Sequence, residues 1–209
     1  MNFRSSIAIA LYACVGASSA VNADIVFQDN FESGLNLWTG KNGGSYRGEL
    51  VADPLGSGNT VLGFNGLNSA GDMFMANPFE LDPSKTYQLS FDYLGLGLAK
   101  SNLNDTGGYV GFSVDTPGRH KWKWATGSVS GASDVLIDDG QWNSYKFDFQ
   151  ASDLGIGNSV RLMVEDFVGS GGRSGDAFFD NFKITTVPTP GSVALLGVGG
   201  LLVTRRRRS

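Results

Sequence analysis

Cysteine and histidine are almost missing from this 209-residue chain. There is one of each, Cys14 and His120. With a single cysteine the chain cannot close an internal disulfide, and a thiolate metal cluster is excluded. A lone histidine excludes a multi-histidine metal site but leaves a Ser/His/Asp triad formally open. Charge is also sparse. Lys plus Arg number 16 and Asp plus Glu number 20, for a formal net charge of −4. Five of the basic residues, Arg4 and Arg205 to Arg208, lie in terminal segments that hold no acid. The remainder carries 11 basic against 20 acidic residues, a net of −9. A surface of that sign repels phosphate backbones, so nucleic acid is not an expected partner. No Gly-x-Ser-x-Gly elbow is present. The glycine-rich stretch Gly169–Gly175 precedes a predicted strand rather than a helix, so it is not a phosphate loop. No strand carries a close array of three carboxylates. Twenty acids always offer some pair at glycosidase spacing, so that criterion selects nothing. The expectation is a non-catalytic protein, with a small glycan-active hydrolase as an alternative.

The ends are unlike the middle. Met1 to Arg4 is a short positive start, Ile7 to Val15 is apolar, and Val21-Asn22-Ala23 offers small residues where a signal peptidase reads. Residues 1–23 therefore read as a secretory signal helix, cut before Asp24. Other readings of this segment are a buried helix and a lipoprotein signal, the latter from Leu11-Tyr12-Ala13-Cys14. At the other end, Pro188-Thr189-Pro190-Gly191 breaks regular structure, because proline lacks an amide donor. A nearly continuous apolar stretch follows, closed by Arg205, Arg206, Arg207 and Arg208. Gly191 to Val203 is 13 residues, about 20 Å as a helix, short of a hydrocarbon core of roughly 30 Å. Extension to Val187 and Thr204, with arginines snorkelling to the headgroups, brings it nearer. The positive end is expected to stay cytoplasmic and the middle domain to lie outside.

Between the ends, residues 24–186 show a period of two bounded by glycine-rich turns. Tyr87, Leu89, Phe91 and Tyr93 alternate with Gln88, Ser90, Asp92 and Leu94; Tyr109, Gly111 and Ser113 with Val110, Phe112 and Val114; Val160, Leu162 and Val164 with Arg161, Met163 and Glu165. Tyr145, Phe147 and Phe149 share one side of another run. Phe178, Asp180, Phe182 and Ile184 share one side of the last. Such alternation marks half-buried strands. About ten short strands and no amphipathic helix predict an all-β fold, an antiparallel β-sandwich. Trp38, Trp142, Met73 and Met75 are expected in the core. Asp138-Asp139 before Gly140 is expected to be a solvated turn.

Trp122-Lys123-Trp124 places two indoles on one face of a strand if the alternation is regular. Flat aromatic faces stack on sugar rings, so Trp122 and Trp124 are the candidate ligand-binding residues. Packing between the sheets is the competing use of two tryptophans.

Two resemblances add to this reading. The order of Pro-Thr-Pro, apolar helix and arginine cluster over residues 187–209 resembles the PEP-CTERM sorting signal. Thr189 stands where that family usually has Glu. The resemblance implies a membrane transpeptidase partner, exosortase, that cuts near the motif. It further implies tethering by a short transmembrane helix on the outer side of the inner membrane before processing, and then a place on the cell surface or in the extracellular matrix. An ordinary tail anchor is the alternative. The middle domain resembles galactose-binding-like jelly rolls, which include many carbohydrate-binding modules. The resemblance rests on Asn30-Phe31-Glu32-Ser33-Gly34 with Trp38, on Phe79-Glu80-Leu81 with Lys85 to Phe91, on Gln141-Trp142, and on Phe178-Phe179-Asp180-Asn181-Phe182-Lys183-Ile184. It implies binding of an extracellular polysaccharide. It also implies a structural Ca2+ held by Glu32 and Asp180, with Asp29, Asn30 or backbone carbonyls completing the shell, because Ca2+ takes six to eight oxygens. A structural or adhesive matrix protein without a specific ligand is the remaining alternative.

Overall fold

A computed structural model describes residues 23–40, 48–64, 70–96, 108–114, 120–126, 134–167 and 176–188. Within these, the side chains of 70–72, 120–126, 134, 166 and 167 are not described. The chain divides into two units, one Ala23–Val187 and the other Met1–Asn22 with Pro188–Ser209. Apart from Pro188, the second unit lies outside the described residues, and with it the signal segment and the sorting-motif residues Thr189, Pro190, Gly191 and Arg205 to Arg208. Among the described residues no helix is long and apolar enough to cross a membrane.

The first unit is a sandwich of two sheets. Its strands are β1 (Ile25–Asp29), β2 (Trp38–Thr39), β3 (Glu49–Ala52), β4 (Thr60–Phe64), β5 (Ala70–Met75), β6 (Phe79–Glu80), β7 (Thr86–Leu96), β8 (Gly108–Ser113), β9 (His120–Thr126), β10 (Asp134–Leu136), β11 (Asn143–Phe149), β12 (Ser159–Phe167) and β13 (Asp176–Val187). Sheet I runs β11-β7-β13-β4-β3, with β1 also on β13. Sheet II runs β10-β9-β8-β12-β5-β2, with β6 on β12. The expected antiparallel arrangement holds with one exception: β10 lies parallel to β9. One short helix, α1 (Ala151–Leu154), was not anticipated; Asp153 accepts from the Gln150 amide and Gly155 ends it at φ 66°.

Alternation explains most of the core. Tyr87, Leu89, Phe91 and Tyr93 of β7 face inward with Phe179, Phe182 and Ile184 of β13. Opposite them lie Met73 and Met75 of β5, Val110 and Phe112 of β8, and Val160, Leu162 and Val164 of β12. Aromatic rings pack in series: Phe31 on Trp38 at 5.7 Å, Trp38 on Phe182 at 5.8 Å, Phe182 on Phe91 at 5.3 Å and Phe91 on Tyr145 at 5.4 Å. Each such pair contributes about 0.5–1.5 kcal/mol beyond burial alone. The indole N–H of Trp38, in sheet II, donates to Asp29 Oδ2 of sheet I at 2.6 Å. This bond ties the two sheets and satisfies a carboxylate only 8% exposed.

Strict alternation fails on β13. Its register against β7 slips between Asp180 and Lys183, and Asn181 adopts φ 53°. The extra residue changes which side faces the core. Phe178 and Phe182, expected on one face, are separated: Phe182 and Phe179 join the main core, and Phe178 joins a second cluster with Val61 and Leu94. Trp142 packs against that second cluster and not in the main core.

Candidate functional site

The outer faces of the two sheets differ in chemistry. On sheet I, polar side chains form a ladder across β11, β7 and β13. Gln88 Nε2 donates to Asp148 Oδ1 at 2.8 Å, Ser144 Oγ to Asp92 Oδ1 at 2.5 Å, and Asn181 Nδ2 to Asp92 Oδ2 at 2.8 Å. Beyond one end of this ladder the face turns apolar, where Val61, Leu94 and Phe178 are closed over by Trp142, Val51 and Leu96. Gly63 permits this: a Cβ there would lie 2.8 Å from Val51 Cγ2 and 3.2 Å from the Phe178 ring. Trp142 Nε1 donates to Asp53 Oδ1 at 3.1 Å. Burial pushes the Asp53 carboxyl up, but hydrogen bonds from Ser57, Leu55 and Trp142 outweigh it and hold the group below the usual carboxylate range. The link from β10 to β11 that carries Trp142 is itself pinned. Tyr93 Oη donates to Asp138 Oδ1 at 2.7 Å, and the Ile137 amide donates to Tyr145 Oη at 2.9 Å. Asp138 is thus a partner of a buried phenol rather than part of a plain solvated turn.

On sheet II the register brings another set together. Met163 of β12 pairs with Phe74 of β5 and Gly111 of β8. Glu165 pairs with Tyr109, and Arg161 with Ser113. The inward alternates of these strands fill the core, so these residues stand on the outer face. Phe74 (9% exposed), Tyr109 (4%) and Met163 (2%) are nevertheless buried, and belong to neither apolar cluster. Arg161 and Glu165 are half-buried beside them. Arg161 Nη1 donates to the carbonyls of Met75 and Ala76, which fixes the guanidinium against β5. Aromatic, thioether, carboxylate and guanidinium groups thus share one sheet face, the apolar ones buried and the two charged ones half-buried.

Strand β9 continues this sheet. Trp122 pairs with Gly111 and Trp124 with Val110, and the register slips by one residue between them. The side chains of Trp122 and Trp124 lie outside the described residues. Tyr109, Arg161 and Glu165 were not singled out from sequence. Their signal was two alternating runs, but nothing in the sequence said that β8 and β12 are neighbours.

The calcium candidates lie at the β1–β13 junction. Phe31 follows β1 at φ 59°, a left-handed conformation uncommon for a bulky residue, held by its amide donating to Asp29 Oδ1 at 2.8 Å. Glu32 Oε1 accepts from the Thr60 amide at 2.8 Å. Asp180 accepts from the Asn181 amide at 2.7 Å. Its carboxyl is pushed up to about 6, chiefly by burial and further by the charges of Asp92, Glu32 and Asp29. The structure therefore brings Glu32 and Asp180 within electrostatic reach of each other. Among the described residues, no group of three or more His, Cys, Asp or Glu could hold a metal ion. The two carboxylates fit a cation in charge; in number they fall short of a shell without carbonyl or water oxygens.

No protein-family model matches the chain, and no curated protein does. Solved structures do. The CBM22-1 xylan-binding domain of Paenibacillus barcinonensis Xyn10C superposes with a TM-score of 0.51 at 15% identity, over 82% of this chain and 99% of that one. The CBM22-1–CBM22-2 tandem of the same protein gives 0.50 at 15% identity, over 80% of this chain and 51% of that one. At this identity the likeness shows the fold alone: a β-sandwich like that of the CBM22-1 domain.

Proposed function

We propose that this chain is an exported, non-catalytic polysaccharide-binding module whose ligand lies on the outer face of sheet II. The observation that carries the reading is the set Phe74, Tyr109, Met163, Arg161 and Glu165 on that face. Arg161 and Glu165 are the partly exposed members of the set, beside the buried Phe74, Tyr109 and Met163. The CBM22-1 domain that shares the fold is a xylan binder by name. Of the two tryptophans proposed from sequence as ligand-binding, Trp122 pairs with Gly111 of that face and belongs to the same proposal; the register slip pairs Trp124 with Val110 of the core side, so the two do not share a face through regular alternation. Export through residues 1–23, sorting by an exosortase-like transpeptidase at residues 187–209, and membrane tethering before that cut are also part of the proposal.

The test is retention of the purified chain on insoluble polysaccharides and a glycan array. Saturable binding that Tyr109→Ala and Glu165→Gln both weaken supports the module. A folded chain that binds nothing points instead to a structural matrix protein, and release of reducing sugar points to a hydrolase. A structural Ca2+ at Glu32 and Asp180 is proposed on the excess of negative charge there. Calorimetric titration with Ca2+ should show one site, lost in Asp180→Asn; no heat of binding removes the ion from the proposal.

A further inference from the structure

The first residue of the expected mature chain is already part of the sheet. The Asp24 amide donates to Thr186 Oγ1 at 2.9 Å, and the Asp24 carbonyl accepts from the Thr186 amide at 2.9 Å. Ile25 then pairs with Thr185, and β1 continues along β13 to the Asp29–Phe182 pair. Strand β13 is the last of the described strands, yet it is interior to sheet I: β7 borders one edge, β4 and β1 the other. Sheet I is therefore complete only after the final strand has been delivered.

Ala23 and Asp24 are both exposed, so the bond between them is open to solvent. Exposure alone does not make a bond cleavable. A protease cleft holds its substrate as an extended strand through backbone donors and acceptors, as strand-addition sites do. Here the backbone groups immediately after the bond are already engaged by β13. We propose that docking of β13 on β1 closes the Ala23–Asp24 bond to signal peptidase, so that removal of the N-terminal segment has to precede completion of sheet I. The inference rests on the reading of residues 1–23 as a cleaved signal. Cleavage of the folded precursor then requires β1 to peel away, and its rate follows the population of that open form.

The experiment uses the full chain, made without membranes, folded, and exposed to purified signal peptidase in detergent. It compares the natural chain with a variant carrying a short Gly-Ser insertion between Ala23 and Asp24. A third form, Phe27→Asp, has a β1 that cannot dock. The insertion moves the bond off the sheet and leaves the sandwich intact, which circular dichroism verifies. The folded natural chain should be cut roughly tenfold more slowly, or slower still, than the insertion variant and Phe27→Asp. Equal rates for the folded natural chain and the insertion variant overturn the gate. If none of the three is cut between Val21 and Asp24, the signal reading itself fails, and the gate falls with it.

Discussion

Sheet I and sheet II turn opposite kinds of surface outward. Sheet I presents a hydrogen-bonded polar ladder, Gln88–Asp148 and Ser144–Asp92, that ends in an apolar patch sealed by Trp142. Among the described residues its polar side chains bond to one another across β11, β7 and β13. Sheet II carries on that side the buried Phe74, Tyr109 and Met163 beside the half-buried Arg161 and Glu165, groups of mixed character arranged by pairing among β5, β12 and β8. The difference teaches that the two outer faces of one sandwich can be built on different principles: hydrogen bonds among polar side chains on sheet I, and apolar groups buried beside half-buried charges on sheet II.

The largest effect that sharpens this contrast belongs to the sealed patch. Phe178→Ala should destabilise the domain by about 3 kcal/mol in urea unfolding, within the usual range for a buried phenylalanine, with glycan retention unchanged in the folded fraction. Tyr109 is also buried, so Tyr109→Ala should cost stability too, and its effect on binding is read in the folded fraction. Retention should weaken at least tenfold, about 1.4 kcal/mol; a variant that binds as tightly as the parent would move the ligand off sheet II. Asp53→Ala removes the acceptor of the Trp142 indole and of two loop amides, and should cost about 1 kcal/mol of stability without touching binding. The same outer face predicts two opposite pH effects. The Asp53 carboxyl is held low, so its contribution to stability is present above the unfolded value of 3.8 and lost as pH falls through the lower folded value. The Asp180 carboxyl is held high. Its contribution is present below 3.8 and lost as pH rises through about 6, so Asp180→Asn should flatten that part of the melting-temperature profile. A profile unchanged by Asp180→Asn would mean that another charge balances the site. The smallest effect is expected from the ladder: Asp148→Ala should change stability by less than about 0.5 kcal/mol and leave retention alone.

How much of this could be read from the residues depended on whether the period of two was unbroken. Tyr87, Leu89, Phe91 and Tyr93 announced a half-buried strand, and β7 has that pattern of burial. Trp38, Met73 and Met75 were placed in the core and lie there. The period misled where an extra residue interrupts it, because a bulge depends on neighbouring strands rather than on local propensity. Phe178 and Phe182 part company at Asn181 for that reason. Trp142 was assigned to the core because it is large and apolar; nothing local says that an outer face would build its own apolar cluster. The face of sheet II was half legible. Arg161, Met163 and Glu165 stood out as one alternating row, as did Tyr109, Gly111 and Ser113, but only long-range pairing sets the rows side by side.

The bond from Trp142 to Asp53 also gives the molecule an optical handle. Trp38 is 4% exposed and enclosed by rings, whereas Trp142 is half-buried with its indole N–H on a carboxylate. A soluble collisional quencher should reach Trp142 well before Trp38. A glycan seated on sheet II should leave the Trp142 component of the emission unshifted, and acid that protonates Asp53 should displace it. Because Trp122 and Trp124 also emit, the difference between the spectra of the parent and Trp142→Phe isolates this component and tells loosening of sheet I apart from occupancy of sheet II.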